Sequence, residues 1–216
     1  MIFIRLPFII ILIFCWTIAG YASDTPPLQQ RILDGIENRY ANQDFSADFS
    51  QTATLAALDI KEIASGKAWF SHPGKMKWQY LTPERHDIIT DGKDLWIFRP
   101  EENQVMRDDA ARFFKSGAGG AFLSDISLIR KNYDVSVAET TDDWVELLLE
   151  DTTGNPDITS IIIRVSSQDF HIFQVTTVNA FSDTTRFEFT NICFQQIQED
   201  FFDFTIPPGV NVIDMN

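Results

Sequence analysis

The stretch Lys75-Met76-Lys77-Trp78-Gln79-Tyr80 alternates polar and large apolar side chains without a break. Successive side chains on a strand point to opposite faces, so Met76, Trp78 and Tyr80 share one side of a sheet while Lys75, Lys77 and Gln79 share the other. A helix would scatter these six residues around its circumference. The same period of two starts at Phe45, with Phe45, Ala47 and Phe49 opposed to Ser46, Asp48 and Ser50. Further strands are expected near Ile60 to Phe70, His86 to Thr90, Asp94 to Arg99, Gln104 to Arg107, Tyr133 to Glu139, Trp144 to Glu150, Ile158 to Val165, Ile172 to Val178 and Thr185 to Ile192. Turns are expected at His72-Pro73-Gly74, Asp91-Gly92-Lys93 and Gly154-Asn155-Pro156. About eleven strands joined as hairpins imply a mainly β (α+β) fold whose antiparallel sheet curls toward a barrel. Leu95-Trp96-Ile97-Phe98 is apolar on both faces, as in a strand covered on both sides.

Two regions break the rhythm. Leu28, Ile32, Leu33, Ile36 and Tyr40 recur at helical spacing behind Pro26 and Pro27, so one amphipathic helix opens the domain. Between Asp108 and Asn132, Phe113 and Phe114 lead into Gly117-Ala118-Gly119-Gly120 and then Phe122, Leu123, Ile126 and Ile129. This pattern reads as two short helices with Gly117, Gly119 and Gly120 as a hinge.

Ahead of the domain, Arg5 is followed by an apolar run from Leu6 to Ile18 that ends at Ala19-Gly20-Tyr21-Ala22. Residues 1–22 have the basic start, apolar middle and small-residue end of a cleaved signal peptide. Residues 23–216 then form a single domain in an exported, periplasmic protein, expected to be a monomer. Cleavage removes Cys15 and leaves Cys193, so no internal disulfide can form; Cys193 is expected to be a buried, inert thiol. The chain carries 31 acidic against 17 basic residues, net −14, which disfavours nucleic acid as a partner. It also contains 19 phenylalanines, so a very soluble surface encloses a very apolar interior.

No catalytic constellation is apparent. His72, His86 and His171 form no metal-binding spacing, no GxSxG elbow or phosphate-binding GxxxxGK[ST] loop occurs, and Asp108-Asp109 and Asp142-Asp143 read as solvated turns. The expectation is a protein that is not an enzyme and carries no cofactor or metal.

The run Gly66-Lys67-Ala68-Trp69-Phe70-Ser71-His72-Pro73-Gly74-Lys75-Met76-Lys77-Trp78-Gln79-Tyr80, then Pro83, then Ile89-Thr90-Asp91-Gly92-Lys93-Asp94-Leu95-Trp96-Ile97-Phe98-Arg99-Pro100, resembles the signature of the LolA family of outer-membrane lipoprotein carriers. The ending from Phe202 to Ile213, with Pro207-Pro208-Gly209, resembles that family's closing segment. The resemblance implies an unclosed antiparallel half-barrel whose apolar concave face is capped by a helical lid. It further implies a periplasmic carrier that takes acylated lipoproteins from an inner-membrane ABC transporter and delivers them to an outer-membrane receptor. On this mapping the acyl-chain site comprises Phe49, Trp69, Met76, Trp78, Tyr80, Trp96 and Phe98, although which faces of Trp69 and Trp96 point inward stays open. Ile32, Ile36, Phe122 and Ile126 belong to the lid.

One departure is His72, where many family members have an arginine that holds the lid shut. Arginine is always charged with five donors, whereas histidine near neutrality is mostly uncharged with one. His72 is the latch candidate, expected to donate to the lid and to tighten it when protonated. Each buried methylene contributes roughly 0.8 kcal/mol, so one chain of about 16 carbons represents on the order of 12 kcal/mol gross, and several would exceed the ceiling of about 18–21 kcal/mol. A carrier that must release its load therefore needs a lid that packs its own apolar residues into the empty site. The alternatives are a carrier of another lipid or glycolipid, and a periplasmic lipid or stress sensor module.

Overall fold

The computed structural model describes residues 26–41, 43–115, 122–154 and 157–215. The expected leader at 1–22 and the expected hinge at Gly117, Gly119 and Gly120 lie outside the described residues. Helix α1 (Leu28–Tyr40) comes first and buries its apolar stripe of Ile32, Leu33, Ile36 and Tyr40. Six strands follow: β1 (Phe45–Leu55), β2 (Ile60–Ser71), β3 (Lys75–Thr82), β4 (His86–Thr90), β5 (Asp94–Arg99) and β6 (Gln104–Asp109). After α2 (Ala110–Lys115), a tight turn at 122–124 and α3 (Leu128–Asn132), the chain returns to strands. These are β7 (Tyr133–Thr140), β8 (Trp144–Asp151), β9 (Ser160–Ser166), β10 (Ile172–Val178), β11 (Thr184–Phe194) and β12 (Asn211–Asp214).

All twelve strands form one sheet in the order β12-β6-β5-β4-β3-β2-β1-β11-β10-β9-β8-β7. Two meanders, β1 to β6 and β7 to β11, are joined where β1 pairs antiparallel with β11. The sheet is unclosed, with β7 and β12 at its edges. The strands expected from alternation are present, and β12 is an addition that pairs parallel with β6. Its four exposed residues, Asn211 to Asp214, carry no alternation signal.

Strands β6 and β7 stand near opposite ends of the sheet, and the described parts of the connection between them pack on its inner face. That connection carries α2, the turn at 122–124 and α3. Many outward positions on the sheet are polar and pair across strands, as in Lys67 with Asp48 at 3.5 Å and Arg164 with Glu146 at 2.8 Å. Inward positions are apolar and, with α1 and residues 122–129, form the main core.

Candidate functional site

The inner face is an aromatic surface built by strand parity. Trp78 stands at its centre, opposite Ala68 on β2 and Ile88 on β4. Its ring lies 4.9 Å from Phe49, 5.4 Å from Phe70 and 5.0 Å from Phe187, mostly edge to face. Gly66 makes this crowding possible, because a Cβ there would sit 1.9 Å from the Gln79 carbonyl oxygen and 2.9 Å from the Phe49 ring. Tyr80 extends the surface toward solvent, stacked on His86 at 4.2 Å, with its hydroxyl donating to Gln51 Oε1 at 2.8 Å. Burial pushes the Tyr80 phenol far above its ordinary value, so it stays a neutral donor. Beside it opens a cleft of about 460 Å³ lined by Tyr80, Ile88, Phe113, Ile158 and Phe187, within the roughly 300–1,000 Å³ of small-molecule sites.

The remainder of the inner face is covered. Ile32 and Ile36 of α1 pack on it from one side, and Phe122, Leu123, Ile126 and Ile129 pack on it from the other, all buried. Helix α1 approaches so closely that a Cβ on Gly35 would fall 2.4 Å from the Phe170 ring. The helix is tied to the sheet at its end, where the Ile172 N–H donates to the buried Tyr40 hydroxyl at 2.9 Å. Arg130 on α3 then joins the two parts of the cover. Its guanidinium donates to Asp34, Glu37 and, at 3.1 Å, Gln30, three polar residues on successive turns of α1.

The rim opposite Arg130 is held by the β2–β3 turn. The Gly74 N–H donates to the Ser124 carbonyl at 2.8 Å. His72 faces the same carbonyl, with its ring edge-on to Tyr40 at 6.4 Å. Burial lowers the His72 pKa below its ordinary 6.5, against the opposing pull of the Ser124 carbonyl, Asp125 and Asp44. Its Nε2 is buried with no hydrogen-bond partner among the described residues. Burial thus disfavours a proton on His72 in this arrangement.

Of the residues expected to line the site, Phe49, Met76, Trp78 and Tyr80 come together on the inner face, and Ile32, Ile36, Phe122 and Ile126 cover it. Trp69, Trp96 and Phe98 do not join them, which corrects their assignment to the cavity. Trp69 follows inward Ala68 and precedes inward Phe70, so it points outward, 5.3 Å from Phe201. Leu95 and Ile97 are the inward residues of β5, opposite Thr90 and Ile88. Trp96 and Phe98 therefore point outward, where each lies within 6 Å of Phe204, at 5.8 and 5.6 Å. Cys193 is exposed rather than buried, because it pairs with Ser46 on the outward parity of β1. Sequence reasoning missed Phe70, Phe187 and Arg130. The alternation of Phe187 and Phe189 was an available signal, as was the Gln30, Asp34, Glu37 stripe, which marks a polar edge awaiting a cation. Among the described residues, no cluster of three or more His, Cys, Asp or Glu could hold a metal ion.

The family model described as "Outer membrane lipoprotein carrier protein LolA" matches residues 41–205. The chain belongs to the LolA family. The matched span holds every inward aromatic residue named above except Tyr40, together with the β6–β7 connection. An outer-membrane lipoprotein carrier protein of Chromobacterium violaceum is 31% identical over 176 residues, covering 78% of this chain and 80% of the relative. One of Serratia proteamaculans is 26% identical over 216 residues, covering 94% of this chain and 97% of the relative. The crystal structure of an uncharacterized conserved protein from Thermus thermophilus matches with a TM-score of 0.57 at 10% identity, covering 86% of this chain and 98% of that one. This last likeness concerns the fold alone.

Proposed function

We propose that this LolA-family chain is a periplasmic carrier that holds lipoprotein acyl chains against the inner face of its sheet and ferries them from the inner to the outer membrane. On this reading it is a carrier and not an enzyme, loaded by an inner-membrane ABC transporter and unloaded by an outer-membrane receptor. Residues 1–22 would direct it to the periplasm. The observation that carries the reading is the covered aromatic face: Phe49, Met76, Trp78 and Phe187 lie beneath a cover made of α1 and residues 122–129.

The energetics follow from that cover. Lifting Phe122, Leu123, Ile126 and Ile129 exposes apolar surface, which offsets part of the roughly 0.8 kcal/mol gained per acyl methylene and keeps release possible. Tyr80 and Gln51 place polar atoms at the cleft mouth, where an acyl chain ends and the cargo's polar part begins. Mass spectrometry of species co-purifying from periplasm tests the proposal. Acylated peptides support it, glycolipids or phospholipids in their place would redirect it to another lipid cargo, and a clean protein that takes up no triacylated peptide would overturn it.

A further inference from the structure

The β1–β2 hairpin projects beyond β3, while on its other side β1 stays paired with β11 as far as Thr54 with Thr184. Strand β2 makes its last pairing with β3 at Ser65 with Thr82, while its pairing with β1 continues to Ile60 with Leu55. Residues Ile60 to Ala64 and the turn beyond them therefore overhang β3 by about 16 Å at roughly 3.3 Å per residue. The overhang is apolar: Leu58 is 67% exposed, Ile63 68%, and Leu55 and Ile60 are exposed as well. Beside it stands the β10–β11 turn, whose Phe181 is 81% exposed. The two tips are joined, since the Ala56 N–H donates to Asp183 Oδ1 at 2.8 Å. Asn179 and Asp183 of that turn also line the cleft that contains Tyr80 and Phe187. The apolar tips thus flank the mouth of the inner face.

Three observations decide what such tips fit. Their side chains protrude rather than form a groove, so a partner with a preformed pocket is not required. Several of their backbone donors are already used: Ala56 by Asp183, Leu58 by the Leu55 carbonyl, and Phe181 and Asp183 by Asn179 Oδ1. Entry into an apolar medium therefore leaves these N–H groups satisfied, which is the main condition that lipid imposes on a backbone. The charge is also locally balanced. Residues 55–63 and 179–186 hold Asp59, Glu62 and Asp183 against Lys61 and Arg186, whereas the whole chain has 31 acids against 17 bases. A chain of net −14 is repelled by an anionic surface, so the tips suit a zwitterionic one.

We propose that Leu58 and Phe181, at the tips of the β1–β2 and β10–β11 hairpins, dock the mouth of the inner face on a zwitterionic lipid surface. The proposal rests on the carrier reading, because docking there brings the site to the interface where acyl chains enter and leave.

The chain from Ser23, which contains every described residue, is floated with phosphatidylcholine–phosphatidylethanolamine vesicles and with the same vesicles doped with phosphatidylglycerol. A Leu58→Gln, Phe181→Ser double variant is run alongside, with circular dichroism to verify its fold and uptake of an apolar dye to report on the inner face. The expected result is flotation of the wild type that weakens with phosphatidylglycerol, a partition coefficient roughly tenfold or more lower in the double variant, and unchanged dye uptake. A wild type that does not float, a double variant that floats equally well, or binding that rises with phosphatidylglycerol would overturn the proposal. So would self-association without vesicles that the double variant abolishes, since that assigns the tips to a second copy. Vesicle binding without uptake of any acylated peptide would sink the carrier reading while leaving the tips as a lipid-docking device.

Discussion

The sheet carries aromatic side chains on both faces, and the two covers over them are fastened differently. On the inner face, Trp78 and its neighbours are covered by α1 and residues 122–129. That cover is joined across the top by the Arg130 contacts to α1, and to the sheet by the Gly74–Ser124 bond and the buried bond from the Ile172 N–H to the Tyr40 hydroxyl. On the outer face, Trp69, Trp96 and Phe98 are covered by Phe201 and Phe204. There the chain is stitched down along its length. β12 pairs with β6, Asn103 donates to the Gly209 carbonyl at 3.0 Å, and the Ile197 N–H donates to Asp44 at 2.8 Å. Exposed ion pairs contribute about 0–1 kcal/mol each and exchange readily, whereas strand pairing is lost only when the strand leaves as a unit. On the carrier reading proposed above, similar aromatic residues would serve as a fixed core on one side and an openable surface on the other, with the fastening of the cover making the difference.

The comparison is broken most directly by removing one aromatic from each face. Trp78→Ala should cost about 3–5 kcal/mol, because a buried indole with several ring neighbours leaves a cavity. Trp96→Ala should cost less, about 0.5–3 kcal/mol, because its ring is only partly buried. Urea denaturation measures both, and apolar dye titration should weaken for Trp78→Ala and stay unchanged for Trp96→Ala. Equal loss of dye binding in the two variants would remove the distinction between the faces. Next in size is Gly35→Ala, whose methyl group would meet the Phe170 ring. Overpacking of this kind costs about 1–3 kcal/mol, and here it should lift α1, so dye uptake should quicken as the melting temperature falls.

How much of this was legible in the sequence depended on which question was asked of it. Alternation in Lys75 to Tyr80 placed Trp78 and Tyr80 on one face, and the helical stripe from Leu28 to Tyr40 placed α1. In β5 the same rule was silent, because both parities of Leu95-Trp96-Ile97-Phe98 are apolar. Only the register with β4, Leu95 opposite Thr90 and Trp96 opposite Ile89, shows which is which. A strand covered twice announces two covers without saying what they are. Residues 199–204, which supply the outer cover, lie more than a hundred positions away in sequence. β12 was illegible for a related reason: four exposed residues paired parallel to a strand far back in the chain leave no local period. Arg130 could be seen only as one more surface cation until α3 was brought over α1.

The inner cover's fastening can be tested with smaller changes. Arg130→Met removes the donors to Gln30, Asp34 and Glu37 and keeps the aliphatic stem. Global stability should fall by less than about 1 kcal/mol, since the pairs are partly exposed, while stopped-flow dye uptake should accelerate several-fold. An unchanged uptake rate would show that α1 and α3 do not separate when the site opens.

The smallest effect belongs to His72. Its pKa in the closed arrangement lies below the free value of 6.5, with burial as the leading cause. Above that value the imidazole is neutral whether the rim is open or closed, and closure carries no penalty. As pH falls through 6.5 the exposed form takes up a proton that the buried form resists, so the equilibrium moves toward opening. Dye uptake should therefore rise modestly between about pH 7 and pH 5.5. The informative quantity is the difference between wild type and His72→Ala, in which the variant should be the flatter. A wild-type profile that falls with acid, steeper than that of the variant, would restore the opposite sign and make the protonated ring a latch on the Ser124 carbonyl.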